Sequence, residues 1–229
     1  MLVACSHGTA DPAGSAAVSR LVDAVRGRTD ARVVEAFVDV HGPYVDDVVA
    51  EHDGHAVVVP LLLAAGFHVR VDVARAVAPW PHAATAEALG PDDRVTEVLL
   101  HRMAAAGVRP GDAVVLAAAG SSDDAADRSV RSAAQRLGRA WGAPVSVAYG
   151  AARAPRLAEE VTRIRAAGPG RRVVLVSYLL ATGHFHRKVL GSGADVVTSP
   201  LLDDGEPDER LVDLVVDRFG SAARRTLTA

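Results

Sequence analysis

Leu2-Val3-Ala4-Cys5-Ser6-His7-Gly8-Thr9 and, 112 positions further on, Val114-Val115-Leu116-Ala117-Ala118-Ala119-Gly120-Ser121 carry one pattern: a short apolar run that breaks into a turn at a glycine. A run that is apolar at nearly every position, rather than at alternate ones, suits a strand buried on both faces of a parallel sheet. Ala148-Tyr149 falls on Ala36-Phe37 at the same offset, and Leu179-Leu180-Ala181-Thr182-Gly183 matches Leu62-Leu63-Ala64-Ala65-Gly66 at an offset of 117. Three matches in one order, drifting only by loop length, point to a duplicated unit.

Outward from the first run, Val18, Leu21, Val22 and Val25 lie at helical spacing, so strand, loop and helix follow in turn. Residues 32–40 read as a second strand, 44–51 as a short helix and 56–63 as a third, almost wholly apolar strand. Residues 67–78 follow as a helix stopped before Pro79 and Pro81, 83–88 as a weaker fourth strand, and 92–106 as a closing helix. The pattern then restarts after a linker at 107–111. The expected fold is α/β, with two homologous open parallel-sheet domains bearing helices on both faces, at residues 1–108 and 109–229.

Composition narrows the function classes. Apolar types make up 49% of the 229 residues but aromatics only 4%, so the core must be built largely from Val, Leu and Ala. A formal charge of -3 argues against a basic nucleic-acid surface. The lone Cys5 precludes an intrachain disulfide or an all-cysteine metal cage and fits a reducing compartment. The start lacks a basic leader followed by an apolar stretch, and no apolar run nears the roughly 20 residues that span a bilayer, so a cytoplasmic chain without membrane contact is expected. The glycine-rich dinucleotide fingerprint, the phosphate loop and the G-x-S-x-G elbow are all absent, which leaves nucleotide use and serine hydrolysis unsupported.

Ligands of open parallel sheets bind beyond the carboxyl ends of the strands. His7 ends the first strand, Asp39 the second, and His68 lies just past the third, so parallel strands bring all three to one crevice although 32 and 29 residues separate them. Two imidazoles and a carboxylate suit Fe²⁺, Co²⁺, Ni²⁺ or Zn²⁺, and serve equally as proton acceptors near neutral pH. His41 competes with Asp39 for the role, although Gly42-Pro43 assigns it to a turn. In the second copy His184 and His186, followed by Arg187-Lys188, stand near the place that His68 takes in the first and can receive a metal or an anionic substrate edge.

Ser6-His7-Gly8-Thr9, Ala36-Phe37-Val38-Asp39 and above all the stretch from Val59 to Asp72, with Gly66-Phe67-His68-Val69 inside it, resemble the class II chelatases of the sirohydrochlorin and cobalt-chelatase family. The resemblance covers almost the whole chain and implies a chelatase-like fold of two homologous halves around a cleft. It implies that His7 and His68 carry metal binding and catalysis, with Asp39 where the family usually has a glutamate. Ala119 and Ala151 stand at the matching second-half positions, and Phe185 near that of His68, so one active site is expected, with the second half as substrate wall. The implied reaction inserts Fe²⁺ or Co²⁺, as metal substrate rather than tightly bound cofactor, into a sirohydrochlorin-type tetrapyrrole, leading toward siroheme or cobalamin. That macrocycle bears carboxylates, for which Arg70, Arg75, Arg153, Arg187 and Lys188 are candidate partners, with His184 and His186 beside them. Neither nucleic acid nor membrane is an expected partner, and a monomer is expected. The alternative is a noncatalytic protein that binds or delivers a metal or tetrapyrrole.

Overall fold

The computed structural model describes residues 1–64 and 67–227; the side chains of residues 67–70, 72, 226 and 227 lie outside that description. Strands and helices alternate throughout. The first half runs β1 (Leu2–Ser6), α1 (Pro12–Arg26), β2 (Val33–Phe37), α2 (Val45–Ala50), β3 (Ala56–Pro60), α3 (Phe67–Val77), β4 (Ala83–Thr85) and α4 (Asp93–Ala105). The second repeats it as β5 (Ala113–Ala118), α5 (Asp124–Trp141), β6 (Val145–Tyr149), α6 (Leu157–Ala167), β7 (Val173–Tyr178), α7 (His184–Leu190), β8 (Val196–Val197) and α8 (Glu209–Leu227).

Each half forms a four-stranded, wholly parallel sheet, in the orders β2-β1-β3-β4 and β6-β5-β7-β8. The chain passes to one side of β1 and then to the other, which makes the carboxyl end of β1 a topological switch point. Side chains alternate across β1 as a strand demands: Leu2 and Ala4 enter a core shared by both halves, whereas Val3 and Cys5 enter a separate one under α2 and α3. Helix starts are set by local chemistry. The Asp11 carboxylate accepts from the Ala13 and Gly14 amides at 3.1 and 3.3 Å, with Pro12 in the first turn, and Asp123 caps α5 in the same way.

The strands are shorter than the apolar runs suggest. β2 stops at Phe37 instead of 40, because Val40 turns to φ 73 and breaks the extended path. β3 stops at Pro60 and β4 spans three residues, although the Leu61 and Ala86 amides still donate to Cys5 O and Val58 O at 2.7 and 2.8 Å.

The closing helices are exchanged. α4, from the first half, packs on β7 and α5 of the second, while α8 crosses back onto β3, β4 and α1 of the first. One face of each sheet is therefore covered by the other repeat's last helix. Leu211, Val212, Leu214 and Val215 of α8 are almost completely buried, and burial contributes roughly 1.5–3 kcal/mol for each such side chain. Tyr178 adds a polar link, donating its hydroxyl to Leu63 O at 2.9 Å. Arg20 does likewise to the carbonyl oxygens of Asp203 and Gly205.

Candidate active site

His7 and Asp39 meet because β1 and β2 run parallel in register. Ser6 lies opposite Phe37, and pairing continues past both strands: the Val38 amide donates to Ser6 O at 2.9 Å and the Asp39 amide to His7 O at 3.1 Å. The loop after Asp39 then closes tightly. The Val40 amide donates to Asp39 Oδ1 at 2.7 Å and so directs the carboxylate, while the His41 amide binds Asp39 O at 2.9 Å. Val40 is β-branched and adopts a positive φ, a conformation that costs on the order of 1–3 kcal/mol and that gathers at functional sites. Gly8, at φ 92, permits the approach of the two loops, since a Cβ there would sit 2.4 Å from Asp39 O. His41 packs its ring against Phe37, centroids 4.1 Å apart, so it props the turn instead of replacing Asp39.

His7 and Asp39, both exposed, open into a cavity of about 760 Å³ between the carboxyl ends of the two sheets. Its walls are predominantly apolar: residues 61–64 from the first half face Ala118, Ala119, Val130, Leu179, Leu180 and Phe185 from the second. A few convergent polar groups in an apolar cleft make up the usual form of a small-molecule site. Cys5 takes no part. It is wholly buried, and burial pushes its thiol up to about 12, far from the thiolate that a metal would need.

The second half repeats the backbone of this site without its chemistry. Gly120 (φ 93) matches Gly8, Ala152 (φ 59) matches Val40, and the Ala151 amide donates to Ala119 O at 2.8 Å as Asp39 does to His7. At the positions of His7 and Asp39 stand the methyl groups of Ala119 and Ala151.

Comparison with known proteins agrees with this architecture. A family model described as CbiX matches the chain twice, over residues 1–106 and again over 113–220. The chain belongs to the CbiX family. Among solved structures it is similar to SirB from Bacillus subtilis with Fe³⁺, at TM-score 0.76 and 21% identity, covering 98% of this chain and 94% of that one. It is also similar to the sirohydrochlorin chelatase SirB from Bacillus subtilis subspecies spizizenii in complex with cobalt, at TM-score 0.73 and 20% identity over 98% and 94% of the two chains. A third likeness is to CbiX, the terminal enzyme for biosynthesis of siroheme in denitrifying bacteria, at TM-score 0.65 and 19% identity over 96% and 98%. No curated protein matches the chain in sequence. These likenesses establish the fold, two duplicated parallel sheets with flanking helices.

In this CbiX-family chain the remaining candidates fall in different places. The backbone of α3 carries His68 and Arg70 past the end of β3, while their side chains lie outside the described residues. His184 and His186 line a smaller cavity of about 340 Å³ that His7 also lines. His186 stands with Nδ1 3.4 Å from Ser177 Oγ, and burial holds its pKa below the usual histidine value, so the ring is a neutral ligand or acceptor at neutral pH. Among the described residues, no three His, Cys, Asp or Glu side chains are grouped to cage an ion.

The cations bind largely within the protein. Arg187 pairs with Asp11 at 2.7 Å across the two halves; Arg153 binds Ser121 O, Ser122 O and Asp124; Lys188 donates to Gly150 O at 3.2 Å and lies over the Phe185 ring. Arg75 is exposed on α3.

Sequence reasoning overlooked Asp127, Tyr149 and Tyr178 in the cavity wall. Asp127 accepts from the Tyr149 hydroxyl and from Arg131 Nε at 2.8 Å. Burial works to raise its pKa, but these hydrogen bonds outweigh that and hold the carboxyl below its usual range. Burial, with Asp127 as the next cause, pushes the Tyr149 phenol up to about 12. The available signal was the tyrosine at the repeat position of Phe37. No helix among the described residues is long and apolar enough to cross a membrane.

Proposed function

We propose that this protein inserts a divalent metal, Fe²⁺ or Co²⁺, into a sirohydrochlorin-type tetrapyrrole, with one reacting centre at the first half's strand ends. The observation that carries this reading is the placement of His7 and Asp39 on adjoining strand ends at one rim of a largely apolar 760 Å³ cavity whose opposite wall is Ala119, Val130, Leu180 and Phe185. The flat ring face of a tetrapyrrole suits such walls, with its carboxylates toward the surface and its nitrogens facing the polar rim. The sirohydrochlorin, siroheme, iron and cobalt named for the structural relatives support the same reading.

Insertion exchanges two pyrrole N–H protons for four metal–nitrogen bonds, so charge balances when the dication enters and both protons reach bases. His7 and His68 hold the incoming ion or accept those protons; an imidazole bound to the metal is not at that instant a base, so the two uses follow one another. Asp39 stabilises positive charge at the rim, its carboxylate directed by the Val40 amide. Arg70 and Arg187 are the proposed binding residues around the macrocycle, with Arg187 exchanging Asp11 for a substrate carboxylate, and His184 and His186 are the proposed binding residues for its metal. Both cavity walls come from one chain, so the proposed working unit is a monomer, in the cytoplasm.

The test is an anaerobic assay with Fe²⁺, Co²⁺ and Ni²⁺ side by side, following the macrocycle's absorbance. Multiple turnovers above the spontaneous rate are expected with Fe²⁺ or Co²⁺. A single stoichiometric binding event without insertion would replace the enzyme by a binding or delivery protein.

A further inference from the structure

The 340 Å³ cavity adjoins the main one. They share His7, Leu61, Leu62, Leu179, Leu180 and Phe185. From that common wall the smaller cavity reaches the surface, where exposed Ala10 and His184 line it. Beside the shared His7, its polar lining comprises Ser6, Thr9, the imidazoles of His184 and His186, and Thr182, whose buried hydroxyl oxygen has no protein partner. An unpartnered buried hydroxyl ordinarily marks a place for water or an ion's hydration shell.

We infer that this smaller cavity is the access route of the metal ion, which passes from His184 and His186 to His7 while the macrocycle fills the large cavity. The inference rests on the proposed insertion reaction and adds to it an order of events. A macrocycle seated against Leu62, Leu180 and Phe185 covers the broad opening, so a cation arriving second needs another way to His7. At roughly 30 Å³ per water the smaller cavity holds about eleven waters, room for a six-coordinate hydrated ion and far too little for the tetrapyrrole. Imidazoles suit Fe²⁺, Co²⁺ and Ni²⁺ alike. The absence, among the described residues, of three grouped ligands accords with a passage, where binding must be weak enough to release the ion onward. Residues 61–62 and 179–180, His7 and Phe185 line both spaces, so His7 is within reach of each.

Two variants test the route from independent sides, with Co²⁺ as the probe metal: the double substitution His184→Ala, His186→Ala removes the imidazoles, and Ala10→Trp plugs the outer end at an exposed position. In steady-state insertion each should raise the KM for Co²⁺ tenfold or more while the KM for the macrocycle stays within twofold. An unchanged Co²⁺ KM in either variant, or a macrocycle KM that rises in step, overturns the proposal, the second outcome making the cavity part of the macrocycle site. Equilibrium dialysis of Co²⁺ against the macrocycle-free protein separates this from the reaction itself. If the wild-type chain inserts no metal, the insertion reading has failed; loss of a weak Co²⁺ site in the double variant then still supports the histidine passage, and unchanged binding overturns it.

Discussion

The loops after β1 and β2 and those after β5 and β6 share their turns, yet only the first pair carries a histidine and a carboxylate at the positions just before its glycine and its positive-φ residue. Gly8 and Gly120 take φ 92 and φ 93, Val40 and Ala152 both take positive φ, and the isolated bridge Phe37–Tyr44 is repeated as Tyr149–Arg156. His7 and Asp39 face Ala119 and Ala151 in this comparison. The loop geometry thus belongs to the folding of a duplicated unit, because closing the sheet's rim demands it in both places. The histidine and carboxylate stand on that geometry in the first copy alone. Tyr149 and Asp127 instead form a hydrogen-bonded pair in the cavity's far wall.

The comparison breaks most sharply at the histidine. His7→Ala should lower the insertion rate about 10²- to 10⁴-fold at saturating macrocycle, the range for losing a positioned acid–base group. Ala119→His should not restore it, since no carboxylate stands at Ala151. Anaerobic absorbance assays alongside circular dichroism measure both; near wild-type turnover in a folded His7→Ala protein would falsify the site assignment.

Next come the glycines. Gly8→Ala and Gly120→Ala each place a Cβ against a backbone carbonyl, 2.4 Å from Asp39 O and 2.0 Å from Ala151 O, at a φ that disfavours any side chain. Each should lose on the order of 1–3 kcal/mol in denaturant unfolding. The shared-backbone view requires similar losses in the two halves, and a cost confined to Gly8 would show that the second loop does not need its geometry.

A smaller effect is expected from Asp39→Asn, which keeps the side chain's size and removes its charge. A slowing of roughly tenfold, about 1.4 kcal/mol of barrier, should appear in kcat, with macrocycle binding retained. A change confined to the macrocycle's KM would instead make Asp39 a substrate-binding group.

Tyr149→Phe gives the second half the first half's residue and should cost about 1 kcal/mol at neutral pH, the net value of one hydrogen bond. Its pH dependence is more specific. Folding raises the phenol from 10.0 to about 12, so its stabilisation is present below about pH 10 and is lost as pH rises toward 12. Unfolding curves between pH 9 and 12 should converge for wild type and variant at the alkaline end. A constant gap across that range would mean that the hydroxyl contributes by packing alone.

Much of this was legible in the chain itself. Apolar runs at residues 2–6, at 56–63 and from 114 onward marked the central strands β1, β3 and β5, and spaced matches between the halves marked the duplication, because a strand buried on both faces and a repeated unit leave local traces. Strand-end placement singled out His7 and Asp39, which the parallel register does bring together. Strand ends were overestimated, since what stopped β2 was the φ of Val40, which an apolar pattern does not encode.

The tertiary structure alone decided which surfaces meet. The apolar stripe of α8, Leu211, Val212, Leu214 and Val215, would read the same whether it covered its own sheet or the other, and it covers the other. Tyr178 reaching Leu63, Asp127 reaching Tyr149, and the small cavity joining His7 to His184 and His186 are likewise contacts between residues distant along the chain. Periodicity states that a face must be buried; its partner is chosen by the competition among all such faces for close packing, and that competition is settled only when the whole chain is folded.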